Sequence, residues 1–153
     1  MREVGRDHGL TLVDDPQLTD RAREERVCVE LCPVSNYQTN RFRDERKGGA
    51  GRKYPLRTLL DNGNAVCINT DNPIISHTNI ITEYFQASYA FGEPGLSLWE
   101  ALRIIRMGFV HSFMSLPERR AMLELVDQII FDLFSSQAVV DTLRSLVRPT
   151  GRR

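Results

Sequence analysis

The chain has 153 residues, of which 41% are hydrophobic, 26% charged and 8% aromatic, a composition that suits one ordinary globular domain and excludes a disordered chain. Twenty Lys and Arg balance twenty Asp and Glu, so no broad cationic face for nucleic acid is implied. Residues 1–7 lack the apolar core of a signal peptide, and no apolar run is long enough to span a bilayer; the expectation is a cytoplasmic protein with neither nucleic-acid nor membrane partners.

In chain order, a lone His8-Gly9-Leu10 is followed by Asp14-Asp15-Pro16, which supplies an N-cap and a first-turn proline for a helix to about Glu25. A strand is predicted over Val27 to Leu31. Residues 32–54 read as a long loop whose tip, residues 43–53, is charged and glycine-rich. Phosphate binding by those glycines is weakly indicated, because no strand runs directly into them. Pro55 then opens a short helix to about Asn62, Gly63 closes it, and a second strand is expected from Ala65 to Asn69. Two strands with such a connection can pair in parallel.

Side-chain alternation puts Val27, Val29 and Leu31 on one face of the first strand and Cys28, Glu30 and Cys32 on the other. In the second strand Val66 and Ile68 oppose Ala65, Cys67, Asn69 and, if the strand runs on, Asp71. In a barrel the greasy face would meet the outer helices and the polar face would look toward a site at the C-terminal rim. The reverse, an outward Glu30 with the β-branched face filling the interior, stays open on parity alone. Cys28, Cys32 and Cys67 lie in or beside apolar segments and read as buried, reduced thiols, not a disulfide frame; the single Cys-x3-Cys spacing makes only a weak case for zinc.

After Asp71 the pattern is helical. Ile80, Ile81, Tyr84, Phe85 and Ser88 mark one helix. Ser97-Leu-Trp-Glu100 is a capping box opening the next, with an expected buried stripe of Leu98, Leu102, Ile105, Phe109 and Phe113. Pro117 sits in the first turn of a third, whose Met122, Leu125, Val126, Ile129, Ile130, Leu133 and Phe134 form a packing surface within the chain or against a partner. Residues 1–147 are expected to make one domain and residues 148–153, with three arginines, a basic tail. His77, after Asp71, reads as a solvent or helix-entry residue, and His111, inside a helix, as structural or surface.

The apolar run Ala65 to Asn69 that stops on Thr70-Asp71-Asn72-Pro73 is the chain's most telling motif, since α/β enzymes place chemistry at the C-terminal ends of buried strands. Val27-Cys-Val-Glu-Leu-Cys-Pro-Val-Ser-Asn36, Pro55-Leu-Arg-Thr-Leu-Leu-Asp-Asn-Gly63, Val66-Cys-Ile-Asn-Thr-Asp-Asn-Pro73 and Thr78-Asn-Ile-Ile-Thr-Glu-Tyr84, with His8-Gly9-Leu10 ahead of them, resemble in order and spacing the C-terminal part of the adenosine deaminase family. The resemblance covers about residues 5 to 135.

It implies an α/β fold: the C-terminal portion, about three strands plus helices, of a (β/α)8 TIM barrel, followed by a helical segment. It implies hydrolytic deamination of adenosine or a related aminopurine by water activated on Zn2+. Asp71 matches the carboxylate that ligates the metal and contacts the attacking hydroxide, and His8 the histidine that deprotonates or orients that water. Asn72 stands where most members have an aspartate bonded to the purine N7; its amide can still donate there.

The sequence also departs from the family. The family's His-x-His pair, third metal histidine and proton-donating glutamate belong upstream of the matched part, and none is found in this chain. Tyr54 replaces a histidine often found before the Pro55-Leu56 match, and Arg6-Asp7 stand where the family has an apolar residue and a glycine. The leading expectation is a zinc-hydrolase segment, inactive without a complementing N-terminal half. The alternatives are a catalytically dead remnant that binds purine or associates with itself or another protein, and, more remotely, an unrelated small α/β interaction domain.

Overall fold

The computed structural model describes residues 9–40, 42, 51–89 and 95–147. The chain divides into two units, residues 1–111 and 112–153. In the first unit a single 3-10 turn at Leu12–Asp14 leads into α1 (Pro16–Glu24). Asp15 caps α1 by accepting from the Gln17 and Leu18 amides at 3.0 and 3.1 Å, with Pro16 as the first helical residue. Arg26, at φ 54°, then turns the chain, and the Val27 and Arg26 amides bond back to Ala22 and Arg23. This six-to-one closure normally takes glycine.

Strand β1 (Cys28–Leu31) follows, then α2 (Pro33–Asn40), α3 (Leu56–Asp61) and β2 (Ala65–Ile68). The same closure ends α3, where Gly63 at φ 79° is the turning residue and Asn64 N bonds Leu59 O at 3.0 Å. The two ends are tied together: Arg23 donates to the Asn62 carbonyl and side chain, and the Asn64 amide group donates to Thr19 O. Both strands therefore leave adjacent, fixed helix ends. They pair in parallel, as the sequence predicts, with Val29 beside Val66 and Leu31 beside Ile68.

The greasy face of this sheet is the core. Val29, Leu31, Val66 and Ile68 are buried with Leu10, Leu12, Ala22, Leu56 and Leu59 from the turn, α1 and α3. Full burial of each large aliphatic side chain contributes about 1.5–3 kcal/mol. Gly9, at φ 69°, crosses over β1 so closely that a Cβ there would overlap Val29 Cγ1. Only glycine satisfies both the backbone and the space.

Three sequence expectations change here. Residues 33–40, read as loop, form α2, whose entry at Cys32 has no capping residue type and whose Val-Ser-Asn-Tyr-Gln-Thr-Asn run has no helical apolar period. On α5 (Ile80–Tyr89) the buried positions are Glu83 and Ala87, while Ile81 stays 79% exposed and Ile80 and Phe85 are also exposed. On α6 (Leu98–Val110) the buried residue is Ile104; Leu98 and Ile105 are exposed, and Phe113 lies beyond the helix at 93% exposure. A short α4 (Pro73–Ser76) joins β2 to α5.

The Ser97–Glu100 capping box is present on α6, and Glu100 also grips Arg57 of α3 bidentately. The second unit holds α7 (Leu116–Ser135), opened by its own Ser115–Glu118 box, and α8 (Gln137–Val147), which packs against it. Of the predicted α7 stripe Val126 is buried, whereas Leu125, Ile129 and Leu133 are exposed. Residues 148–153, the expected basic tail, lie outside the described residues. No described helix is long and apolar enough to cross a membrane.

Candidate active site

The C-terminal ends of β1 and β2 lie side by side, because their register is parallel and Asn69 N extends the ladder to Leu31 O at 2.9 Å. Across this rim the Asn69 amide group donates to the Glu30 carboxylate. The strand stops at Ile68, so Asp71 is not aimed by strand alternation. Instead it sits in a turn at φ 56°, a left-handed conformation that Asp and Asn tolerate better than most residues. Its Oδ2 accepts a hydrogen bond from the Ser35 hydroxyl of α2 at 2.8 Å, and the residue is solvent-exposed.

Asn72 caps α4: its Oδ1 accepts from the Ile74 and Ile75 amides at 3.2 and 3.1 Å. That use fixes the amide orientation and leaves its Nδ2 as a donor. His8 lies outside the described residues; Gly9 next to it is the residue held against Val29. His77 is exposed at the left-handed C-cap of α4, as a solvent residue would be, and His111 caps the C-terminus of α6 instead of lying within it.

The first turn of α2 is held from several directions. The Glu83 carboxylate of α5 accepts from Val34 N at 2.8 Å. The Asn36 Oδ1 accepts from Cys32 N at 3.0 Å and from the Tyr54 hydroxyl at 2.9 Å. Tyr54 is 1% exposed and stands edge-on to Phe42, ring centroids 5.1 Å apart, and burial pushes its hydroxyl well above its ordinary pKa. Glu83 is fully buried, and burial raises its carboxyl; the Val34 amide and Thr78 hydroxyl oppose that rise, while the Asp71 charge adds to it.

None of these supports was assigned a role from the sequence. Ser35, Asn36 and Tyr54 stand in or beside the family motifs, and nothing in the neighbouring sequence marks the groups they pair with. The one signal for Glu83 is a carboxylate set in the apolar run Ile80-Ile81-Thr82-Glu83-Tyr84-Phe85.

The three cysteines are free thiols, but of the three expected to be buried only Cys32 is, while Cys28 and Cys67 are half-buried. Cys32 is buried, and desolvation, helped by the charges of Glu30, Asp71 and Glu83, pushes it up to about 12. Cys28 is likewise raised, first by its interaction with Cys67 and then by burial. Among the described residues no three His, Cys, Asp or Glu side chains are grouped to hold a metal ion, so the donors present there do not make a complete metal site. What the rim offers is one anchored carboxylate, one oriented amide donor and an adjacent Glu30–Asn69 pair.

Comparison with known proteins gives this rim a lineage. The family model for adenosine deaminase matches residues 4–129. An adenosine deaminase of Enterococcus faecalis is 30% identical over 121 residues, which is 79% of this chain and 33% of that protein. Adenosine deaminases of Escherichia coli O1:K1 / APEC and Klebsiella pneumoniae strain 342 are 33% and 31% identical, each over 82% of this chain and 36% of the relative. The fold is similar to the crystal structure of an adenine deaminase from Arthrobacter aurescens, with a TM-score of 0.66, 22% identity, and coverage of 80% of this chain and 35% of that one. The chain thus spans about a third of the length of the curated relatives it matches and corresponds to a portion of a TIM-barrel fold. It belongs to the adenosine deaminase family.

Proposed function

We propose that the chain is the C-terminal portion of a zinc-dependent hydrolase that deaminates adenosine or a related aminopurine nucleoside, and that it turns over substrate only when an N-terminal half completes the barrel. The observation that carries this is Asp71, fixed by Ser35 at the end of two paired parallel strands, in the motif through which the chain resembles its family. Asp71 would contribute one metal ligand, and the remaining ligands would come from the complementing half. Zinc, when bound, would supply a hydroxide nucleophile at neutral pH.

The chain's own residues then have separate tasks. Asp71, its Oδ2 engaged by the Ser35 hydroxyl, keeps Oδ1 as a further acceptor that would serve as a metal ligand. His8 accepts or orients the proton of the attacking water. Asn72, its oxygen committed to the α4 cap, donates Nδ2–H to the purine N7. Residues 1–147 act as one partial-barrel domain and residues 148–153 as a basic tail, in a cytoplasmic protein.

The test mixes the full chain with the upstream portion of the Escherichia coli relative and measures bound zinc and ammonia released from adenosine. The expected result is release from the mixture only, lost with Asp71→Asn. The absence of both zinc retention and ammonia release in every such mixture overturns the proposal. A second reading, a protein-interaction remnant, is favoured by the exposed Ile74, Ile75 and Ile81 beside the rim. It predicts self-association or partner binding indifferent to chelator and to Asp71→Asn.

A further inference from the structure

We propose that Glu83 is a positioning residue for Asp71, acting through α2: by holding the Val34 amide it sets the first turn of that helix so that the Ser35 hydroxyl meets Asp71. This deepens the functional reading above and rests on it for the role of Asp71. Three observations carry it. Glu83 comes from α5, 49 positions from Val34, and its Oε2 takes the amide at 2.8 Å, a job usually done by the residue just before a helix. The next residue along α2, Ser35, is the one that donates to Asp71 at 2.8 Å. Glu83 is 0% exposed, and its Oε1 has no hydrogen-bond partner among the described residues.

A fully buried carboxylate is costly to desolvate, and an apolar side chain would pack the same place without that cost. What the carboxylate adds is a fixed acceptor at the N-terminus of α2. The supports divide the work: Asn36 and Tyr54 anchor Cys32 and the strand end, while Glu83 anchors Val34, the neighbour of Ser35. Removing Glu83 frees the Val34 amide and lets Ser35 drift from Asp71.

The test uses the full chain with Glu83→Ala, Glu83→Gln and Ser35→Ala, followed by amide NMR and hydrogen exchange. Glu83→Ala should speed Val34 amide exchange about tenfold or more and move the Asp71 resonance. Ser35→Ala should move Asp71 without changing Val34 exchange. Glu83→Gln keeps a carbonyl acceptor and should restore both.

Faster Val34 exchange with Asp71 unmoved overturns the proposal, because Glu83 would then be a cap and nothing more. If Glu83→Ala does not fold, Glu83→Gln decides: a protected Val34 with Asp71 in place supports the proposal, and a protected Val34 with Asp71 displaced overturns it. In the mixture with the upstream portion, Glu83→Ala should lower kcat about tenfold or more with KM within about twofold. Equal losses in Glu83→Gln would overturn the positioning role. A mixture in which the unmodified chain shows no turnover defeats the functional reading alone, and the NMR comparison still decides what Glu83 does to Asp71.

Discussion

The entry to α2 and the entries to α6 and α7 meet the same need, an acceptor for exposed backbone amides, with very different reach. Ser97 and Ser115 cap from the adjoining position, each with a glutamate three residues on returning the bond. The Val34 amide of α2 is served by a carboxylate 49 positions away. A local cap stabilises its helix wherever that helix goes, whereas a distant one ties a helix to a place. The distant kind serves the helix whose Ser35 meets Asp71, and the local boxes serve α6 and α7.

The comparison can be broken most sharply where long-range fitting is tightest. Gly9→Ala adds a methyl overlapping Val29 and strains a backbone at φ 69°, so urea unfolding should show a loss of about 3 kcal/mol or more. Next in size is Tyr54→Phe, which removes one of two donors from buried Asn36. A loss of about 1–2 kcal/mol is expected, with the far-UV spectrum unchanged.

Acid titration probes the locally capped side. The Arg57 guanidinium, with help from Ser97, holds the Glu100 carboxyl down at about 2 against an ordinary 4.5. Its folded value lies below its unfolded one, so its contribution is full above pH 4.5 and disappears as pH falls toward 2. With the pair partly open to solvent the effect is about 1 kcal/mol, and Arg57→Ala should flatten the acid limb of the stability curve over that window.

The smallest change is Arg26→Gly. It relieves a left-handed residue at the end of α1 but loosens the unfolded chain, and the net gain should be about 0.5 kcal/mol by thermal melting. A loss there would mean that the Arg side chain, not the turn, matters.

The same contrast explains what could be read from the residues. Asp15-Pro16, Ser97-x-x-Glu100 and Gly63 announce helix ends because their partners are within a few positions. Val29, Leu31, Val66 and Ile68 announce the core by alternation, and Asp71-Asn72-Pro73 stands out as polar groups ending an apolar run. Helix α2 has neither signal, and its cap is legible only in three dimensions. Ser35 gives no signal and Glu83 only its place in an apolar run, since their partners stand 36 and 49 positions away. The stripes on α5 and α6 mislead because apolar periodicity locates a greasy face but not the face that the neighbouring elements cover. On α5 that covered face is centred on a carboxylate and an alanine.

The left-handed turn at Asp71 bears on how its chemistry can be dissected. Alanine at φ 56° costs about 1 kcal/mol in backbone strain alone, so a loss seen with Asp71→Ala mixes conformation with charge. Asparagine accepts that backbone, keeps an oxygen for Ser35 and removes only the negative charge. The difference between the two substitutions therefore isolates the turn from the carboxylate. Few side chains can occupy this position without disturbing one or the other.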